Sequence, residues 1–293
     1  MRTAFINKQI EKSIIHDGYI VVDFTKPGEL EEIKNTFNNL GFRKDNEVKL
    51  RKSVVHESAA RKNEIYEKFY PIFQRAINRF MVDYKLARVA IVDKHPGGGA
   101  INVHQHVNLI DELKHRSFTA WMPTVDTTVE MGTLYVVKKS HTIFAPKIQP
   151  FNDFSKFQDK LSHKILKKYS TPLLLQAGQA VIFDDRLIHW SPPNMTTERR
   201  TAFQLQLLPW ETESDLTIYY RANDEELSKY KISPKTYRET DLAHNMPDDL
   251  VLLGSIKQPR FSYNNRQFIA MMKPSDFYRT NHNRNLFQRL FDQ

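Results

Sequence analysis

The feature that most constrains the fold is a series of short β-like segments between Lys85 and Leu208. Seven segments of four to eight residues follow one another within about 125 residues, most of them separated by turn residues. They are Leu86–Val92, Ala100–Val107, Phe118–Val125, Thr133–Val137, Leu173–Gln176, Ala180–Phe183 and Thr201–Leu208. Because helical patterns are absent between most of them, they favour a sandwich or jelly roll over an alternating βαβ sheet. The sequence therefore predicts a mostly β fold with flanking helices.

Helical periodicity flanks this region and interrupts it once. The predicted helices are residues 7–16, Glu29–Leu40, Ser58–Phe80 and Asn152–Tyr169, with a strand at Tyr19–Phe24. Pro71 should kink or split the third helix, since proline removes a backbone donor. The fourth interrupts the strands and is expected to form a helix or lid beside the barrel mouth.

No repeat, low-complexity tract or linker-like boundary divides the chain. We therefore predict a single domain over residues 1–293, long enough to bury a sizeable core. Its barrel core would span about residues 85–210, with N-terminal helices in 1–84. Residues 211–293 would form a C-terminal extension packed on the barrel.

Composition excludes several classes of protein. The chain has no cysteine, which rules out disulfides, thiolate metal sites and a cysteine nucleophile. Its net charge of +9 comes entirely from residues 1–210, because the remainder has 12 residues of each sign. This excess fits a basic solvated surface, and it also favours an anionic or carrier-bound small-molecule substrate. No nucleic-acid partner is expected, since neither an RNP-type aromatic motif nor an arginine tract occurs.

Nothing in the sequence indicates a membrane or secreted location. Charges interrupt the first twenty residues, which lack a secretory apolar block. The longest apolar runs, such as Tyr19–Val22 and Leu134–Val137, are far shorter than the roughly 20 residues a membrane span needs. We predict a cytoplasmic protein with no membrane partner.

Histidines carry the strongest chemical signal. His104 and His106 are two residues apart in a predicted strand, so both side chains should lie on one face and could chelate a metal. An H-x-H pair by itself fits core or surface histidines equally well. A third histidine, His189, follows a further apolar strand, with Ser191 and Arg200 close behind it.

Four segments in order give the chain a family resemblance. They are VHQHVNLIDE, TAWMPTVD, EMGTLYVVKKSH and HWSPPNMTTERR, and HDGYIVVDF precedes them. Over residues 16–210 the chain resembles the phytanoyl-CoA dioxygenase-like family of non-haem iron, 2-oxoglutarate-dependent oxygenases. The resemblance implies a double-stranded β-helix, that is, a cupin-like jelly roll, with Fe(II) and 2-oxoglutarate as cofactor and cosubstrate.

The resemblance also implies roles for individual residues. His104 would be the proximal metal ligand and His189 the distal one. Arg200, eleven residues after His189, would pair with the 5-carboxylate of 2-oxoglutarate, which suits a planar guanidinium. Ser191 would support that carboxylate, and Trp121 would form a wall of the cosubstrate pocket.

The chain departs from the family pattern at His106, where the family has aspartate. A two-histidine, one-carboxylate site gives Fe(II) one negative ligand, whereas three neutral imidazoles leave its charge uncompensated. Such a site could bind iron more weakly, have a shifted redox potential or favour another metal such as zinc. Asp111, Asp184 and Asp185 are nearby in sequence and are candidates for a substitute carboxylate.

Three functions therefore stand open on the sequence. The first is a hydroxylase-type Fe(II)/2-oxoglutarate dioxygenase acting on a small or carrier-bound metabolite. The second is a three-histidine iron dioxygenase that uses no 2-oxoglutarate, and the third is an inactive binding module on the same barrel. Arg200 favours the first over the second, because a cosubstrate-free enzyme has no need for a buried arginine there. The metal content of the purified protein would distinguish the third function from the first two.

Overall fold

The computed structural model of the chain describes residues 3–41, 48–143, 150, 163–223, 225–257 and 265–271. Its strands are β1 (Tyr19–Asp23), β2 (Leu50–Lys52), β3 (Tyr84–Lys94), β4 (Ile101–His104), β5 (Phe118–Pro123), β6 (Tyr135–Val136), β7 (Thr171–Pro172), β8 (Gln179–Asp184), β9 (His189–Ser191), β10 (Arg200–Pro209), β11 (Thr217–Arg221), β12 (Glu226–Lys231) and β13 (Val251–Lys257). Its helices are α1 (Lys8–Asp17), α2 (Glu29–Asn39), α3 (Ser53–His56), α4 (Ala59–Ile77), α5 (Ser140–Ile143), α6 (His163–Lys168), α7 (Pro234–Glu239) and α8 (Asn265–Met271), with a 3-10 helix at Trp210–Asp215.

Two antiparallel sheets pack face to face and form the barrel. The larger has the order β1-β8-β5-β10-β3-β2, and the smaller has the order β4-β9-β6-β7. Trp121, Val181 and Phe183 of the larger sheet share a buried apolar cluster with Leu134 and Val136 at the smaller sheet. The architecture is therefore the predicted double-stranded β-helix with flanking helices.

Helices cover the outer face of the larger sheet. Side chains of α4, such as Phe69 and Phe73, pack against β3 and β10 residues, including Phe203. Helix α4 runs without a break through Pro71, so the predicted split does not occur. Pro71 and Glu67 are both exposed, so water can satisfy the carbonyl that the proline leaves without a donor.

Strand boundaries differ from the sequence prediction in several places, of which those nearest the histidines and the smaller sheet matter most here. Strand β4 ends at His104, so it covers only part of the predicted Ala100–Val107 segment. The predicted Leu173–Gln176 strand is replaced by β7 at Thr171–Pro172, which pairs with β6. Strand β9 was not predicted, because three residues are too few to show a period. Of the predicted Asn152–Tyr169 helix, residues 163–168 are helical, and residues 152–162 lie outside the described part of the chain.

The C-terminal extension forms a third sheet with the order β11-β12-β13. Leu216, Ile218 and Tyr237 from this extension share a buried cluster with Ala87 of β3 and Leu208 of β10. The extension thus packs on the barrel through apolar side chains. None of the helices in the described residues has the length and apolar character to cross a membrane.

Candidate functional site

Three histidines converge inside the barrel. The pairing of β4 with β9 places His104 opposite His189, and their ring centroids are 4.1 Å apart. His106 lies just beyond the end of β4, with its ring centroid 4.7 Å from that of His189. One ring nitrogen from each of the three lies within 4.8 Å of the other two, so together they could hold one metal ion. In the described residues no other group of three or more histidines, aspartates or glutamates meets this criterion.

Hydrogen bonds fix which nitrogen of two rings faces the site. Nδ1 of His104 lies 2.7 Å from the carbonyl oxygen of Asn102, and Nδ1 of His189 lies 2.9 Å from that of Leu187. A carbonyl only accepts, so each Nδ1 carries the proton and donates it. Nε2 of each ring therefore keeps its lone pair for a metal.

His106 has a different set of partners. Its Nδ1 lies 2.7 Å from Thr119 Oγ1 and 3.1 Å from Asp185 Oδ1, and Thr119 in turn donates to the same carboxylate. Gln204 Nε2 lies 3.3 Å from His106 Nε2 and donates to the lone pair that an ion would take. The third imidazole thus presents Nε2 to the site, as the other two do.

Asp185 is the one candidate acid that contacts a site histidine. Burial raises the pKa of this carboxyl, but hydrogen bonds from His106, Ser117 and Thr119 and the charge of His106 lower it below its ordinary value. Of the other two candidates, Asp184 forms an ion pair with Arg186, and Asp111 lies at the surface beside Lys114. Among the residues that the structure describes, no carboxylate therefore joins the three imidazoles directly.

Arg200 lies buried on the same face of β10 as Gln204. Its Nη1 donates to the carbonyl of Gly132 at 3.1 Å, and its guanidinium lies 5.2 Å from the centre of the Trp121 ring. Its Nε and Nη2 have no hydrogen-bond partner among the described residues. Burial lowers the pKa of Arg200 to about 10, although the charge of Asp93 raises it. Buried, unpaired guanidinium donors are costly unless an anion meets them.

Lys94 is a site residue that the sequence analysis missed. It pairs with Arg200 across β3 and β10, and it is fully buried. Its Nζ donates to Ser191 Oγ at 2.7 Å and to the carbonyl of Pro192 at 2.5 Å. Because Nζ is the donor in both contacts, the Ser191 hydroxyl accepts here and can donate its own proton elsewhere. The sequence did contain a signal for Lys94. It ends an apolar strand at a position where strand alternation points the side chain into the barrel.

Two buried basic side chains, Lys94 and Arg200, lie side by side in this pocket. Burial lowers the pKa of Lys94 to about 6, helped by the charges of Arg200 and Lys52. Arg200 and Gln204 lie four residues apart on one strand face, about 13 Å at roughly 3.3 Å per residue. The anion pocket and the histidine cluster thus occupy one barrel interior. A jelly roll with these two features defines a class, the metal-dependent enzymes of the cupin-like barrels.

The sequence comparisons agree with this class. The family described as phytanoyl-CoA dioxygenase (PhyH) matches residues 16–202, and the chain belongs to that family. A curated relative, the phytanoyl-CoA dioxygenase domain-containing protein 1 homolog of Dictyostelium discoideum, is 23% identical over 167 residues. That alignment covers 55% of this chain and 54% of the relative, so the chain matches about half of the relative's length.

Solved structures with the same fold are more distant in sequence. EvdO2 from Micromonospora carbonacea var. aurantiaca, complexed with 2-oxoglutarate, is 17% identical with a TM-score of 0.53. The similarity covers 70% of this chain and 91% of EvdO2. The epimerase SnoN, solved with Fe3+, α-ketoglutarate and nogalamycin RO, is 15% identical with a TM-score of 0.52, over 87% of this chain and 96% of SnoN. At these identities the structures support the fold.

Proposed function

We propose that the protein is an Fe(II)/2-oxoglutarate-dependent oxygenase. The observation that carries this proposal is Arg200, whose two unpaired, buried donors require an anion in the same barrel interior as three converging histidines. Family membership and the 2-oxoglutarate complexes of EvdO2 and SnoN support it.

The residues fit both the metal and the cosubstrate. Three imidazole nitrogens suit Fe(II), and His104, His106 and His189 would hold it through Nε2. When bound, iron would activate O₂ as the oxidant, and 2-oxoglutarate would be oxidised to succinate and CO₂ while the second oxygen atom oxidises the substrate. Arg200 would bind the 5-carboxylate of 2-oxoglutarate as a guanidinium fork.

The other pocket residues would position the cosubstrate and exclude water. The Ser191 hydroxyl, held by Lys94, would donate a hydrogen bond to the same carboxylate. Trp121, which is 4% exposed, would cover the pocket beside Arg200. A dry pocket strengthens these charge interactions and protects the reaction from water.

The proposed reaction is hydroxylation of a small or carrier-bound metabolite. The basic excess in residues 1–210 favours an anionic substrate. Related barrels carry out other outcomes, since SnoN is an epimerase, and the reaction type must be read from the product.

Succinate formation tests the proposal. Purified protein with Fe(II), ascorbate and 2-oxoglutarate should form succinate above a His104→Ala control, even without substrate through uncoupled turnover. Oxygen consumption that needs iron but not 2-oxoglutarate would instead support a three-histidine dioxygenase. Absence of both activities, across a panel of candidate substrates, would support a binding module.

A further inference from the structure

We propose that Asp185 acts through His106 to supply the negative charge that a ligating carboxylate supplies in a two-histidine, one-carboxylate iron site. Asp185 is thus a positioning residue for the metal rather than a ligand. The inference rests on the proposed function only in taking His104, His106 and His189 as the ligands.

The first support is the way the chain holds Asp185 against His106. The two residues meet twice, since the backbone N–H of His106 donates to the carbonyl of Asp185 at 2.9 Å and Nδ1 lies 3.1 Å from Oδ1. Thr119 Oγ1 donates to Oδ1, and Gln206 Nε2 donates to Oδ2. Asp185 is 1% exposed, so the carboxylate is fixed and shielded from water.

The second support is the contrast with the other two rings. Nδ1 of His104 and Nδ1 of His189 both donate to neutral backbone carbonyls. Nδ1 of His106, in contrast, lies 3.1 Å from a carboxylate oxygen, and it lies 2.7 Å from Thr119 Oγ1, which donates to the same carboxylate. His106 is also the position at which the chain departs from the aspartate that its family has. The site therefore keeps a negative charge next to position 106, but the His106 ring separates that charge from the ion.

The physical effect follows from the hydrogen bond. An anionic acceptor at Nδ1 raises the basicity of Nε2, and it stabilises a divalent cation in a low-dielectric interior. An aspartate at position 106 would instead ligate the ion with its own charge, and it has no ring nitrogen through which Asp185 could act. The histidine and Asp185 therefore form a matched pair, in which the preferred residue at each position depends on the other.

A metal-binding cycle tests this dependence without measuring catalysis. Co(II) dissociation constants are measured by competition with a chelator for wild type, Asp185→Asn, His106→Asp and the double variant. Loss of a hydrogen-bond partner of a metal-bound imidazole typically costs about 10- to 100-fold in affinity, and we expect Asp185→Asn to fall in this range. In the His106→Asp background the same Asp185→Asn change should reduce the affinity much less, because no imidazole remains to carry the influence of Asp185 to the ion.

The difference between the two backgrounds separates this role from a structural one. If Asp185 merely held Thr119 and Gln206 in place, its loss would weaken Co(II) binding equally in both backgrounds, and the proposal would be wrong. Asp184→Asn is the matched control, since it removes a buried neighbouring acid that pairs with Arg186 instead. Its Co(II) affinity should equal that of wild type, and a loss as large as that of Asp185→Asn would count against a specific role.

A second measurement does not need the variants to fold. In metal-free wild type, nitrogen NMR should show the His106 proton on Nδ1, and a proton on Nε2 would contradict the proposal. The outcomes remain distinct from those of the function test. Succinate formation with equal losses of Co(II) affinity in both backgrounds would overturn this inference alone, whereas unequal losses without succinate would overturn only the oxygenase proposal.

Discussion

Arg199 and Arg200 are adjacent in sequence, yet they point to opposite faces of the sheet edge where β10 begins. Arg199 forms an ion pair with Asp93, and its side chain is 29% exposed. Arg200 is 1% exposed and leaves two donors without partners inside the barrel. Strand alternation explains the difference, and Arg200 is the arginine that lies eleven residues after His189.

These two arginines give the first prediction. Arg200→Leu should abolish measurable 2-oxoglutarate binding, because breaking a buried charge pair costs about 2–5 kcal/mol or more. Arg199→Leu should leave the affinity near that of wild type, although it costs some stability by leaving Asp93 without this partner. Isothermal titration calorimetry of the metal-loaded protein checks both. Equal losses in the two variants would show that the assigned register is wrong.

Lys94 gives a prediction about pH. Burial lowers its pKa to about 6 in the folded chain from an ordinary value of 10.5, so between these values the unfolded chain binds a proton that the folded chain lacks. The free energy of unfolding of the metal-free protein should therefore rise with pH across this window. Lys94 contributes up to about 1.4 kcal/mol per pH unit to that rise, and Lys94→Met removes it.

Denaturant titrations from about pH 6.5 to about pH 9 measure the effect as a difference between proteins. Wild type should gain stability relative to Lys94→Met as pH rises. Lys114→Met, which changes a lysine whose side chain is 73% exposed, should run parallel to wild type. Parallel curves for wild type and Lys94→Met would contradict the burial argument.

At the scale of elements, the segment between β5 and β6 connects the larger sheet to the smaller one, and Gly132 in this segment contacts Arg200 of the anion pocket. Gly132 has a φ of +73°, and its carbonyl accepts the hydrogen bond from Arg200. A Cβ added there would lie 2.4 Å from the carbonyl oxygen of Pro192, next to Ser191. The glycine thus allows a close approach of backbone to backbone, as well as an uncommon φ.

A pair of glycine variants separates these two effects. Gly132→Ala should lose more stability than Gly28→Ala, because Gly28 has a φ of +86° but no atom within 4 Å of an added Cβ. The φ strain alone costs roughly 1–2 kcal/mol in either variant. Only Gly132→Ala should also weaken 2-oxoglutarate binding. Chemical unfolding and calorimetry measure both, and equal behaviour of the two variants would show that the contact with Pro192 does not matter.

Local patterns predicted some elements well and others poorly. The periodicity of Glu29–Leu40 and the apolar run Thr201–Leu208 gave α2 and β10 nearly to the residue. Strands β7 and β9 are only two and three residues long, too short to show an alternating pattern in the sequence. They are strands because they pair with β6. Asp185 and Lys94 could not be assigned from the sequence, because their roles depend on contacts with residues 79 and 97 positions away.

At the scale of the whole molecule, the C-terminal sheet and the barrel share one apolar cluster. Ile218 of β11 is fully buried in it with Ala87 and Leu208. Such contact favours the single-domain organisation predicted from the sequence, in which barrel and extension unfold together.

An unfolding experiment checks this organisation. Ile218→Ala should destabilise the protein by about 2–5 kcal/mol, as large-to-small changes in a core do. The three tryptophans, at positions 121, 190 and 210, lie outside the extension, so their fluorescence reports on the barrel and its edge. Fluorescence and far-ultraviolet circular dichroism should therefore shift by the same amount. A circular dichroism transition that moves alone would show that the extension is a separate unit.

Iron retention tests the central claim most directly, namely that three histidines and Arg200 together hold iron and 2-oxoglutarate. Protein purified anaerobically is loaded with Fe(II), with or without 2-oxoglutarate, then desalted and analysed for iron. Wild type should keep about one iron per chain and keep it better with 2-oxoglutarate, because the 2-oxo acid can chelate the ion while Arg200 holds its far carboxylate. Arg200→Leu should lose this dependence, and His189→Ala should retain no iron. Iron retention in wild type that is unaffected by 2-oxoglutarate, or absent altogether, would contradict the account.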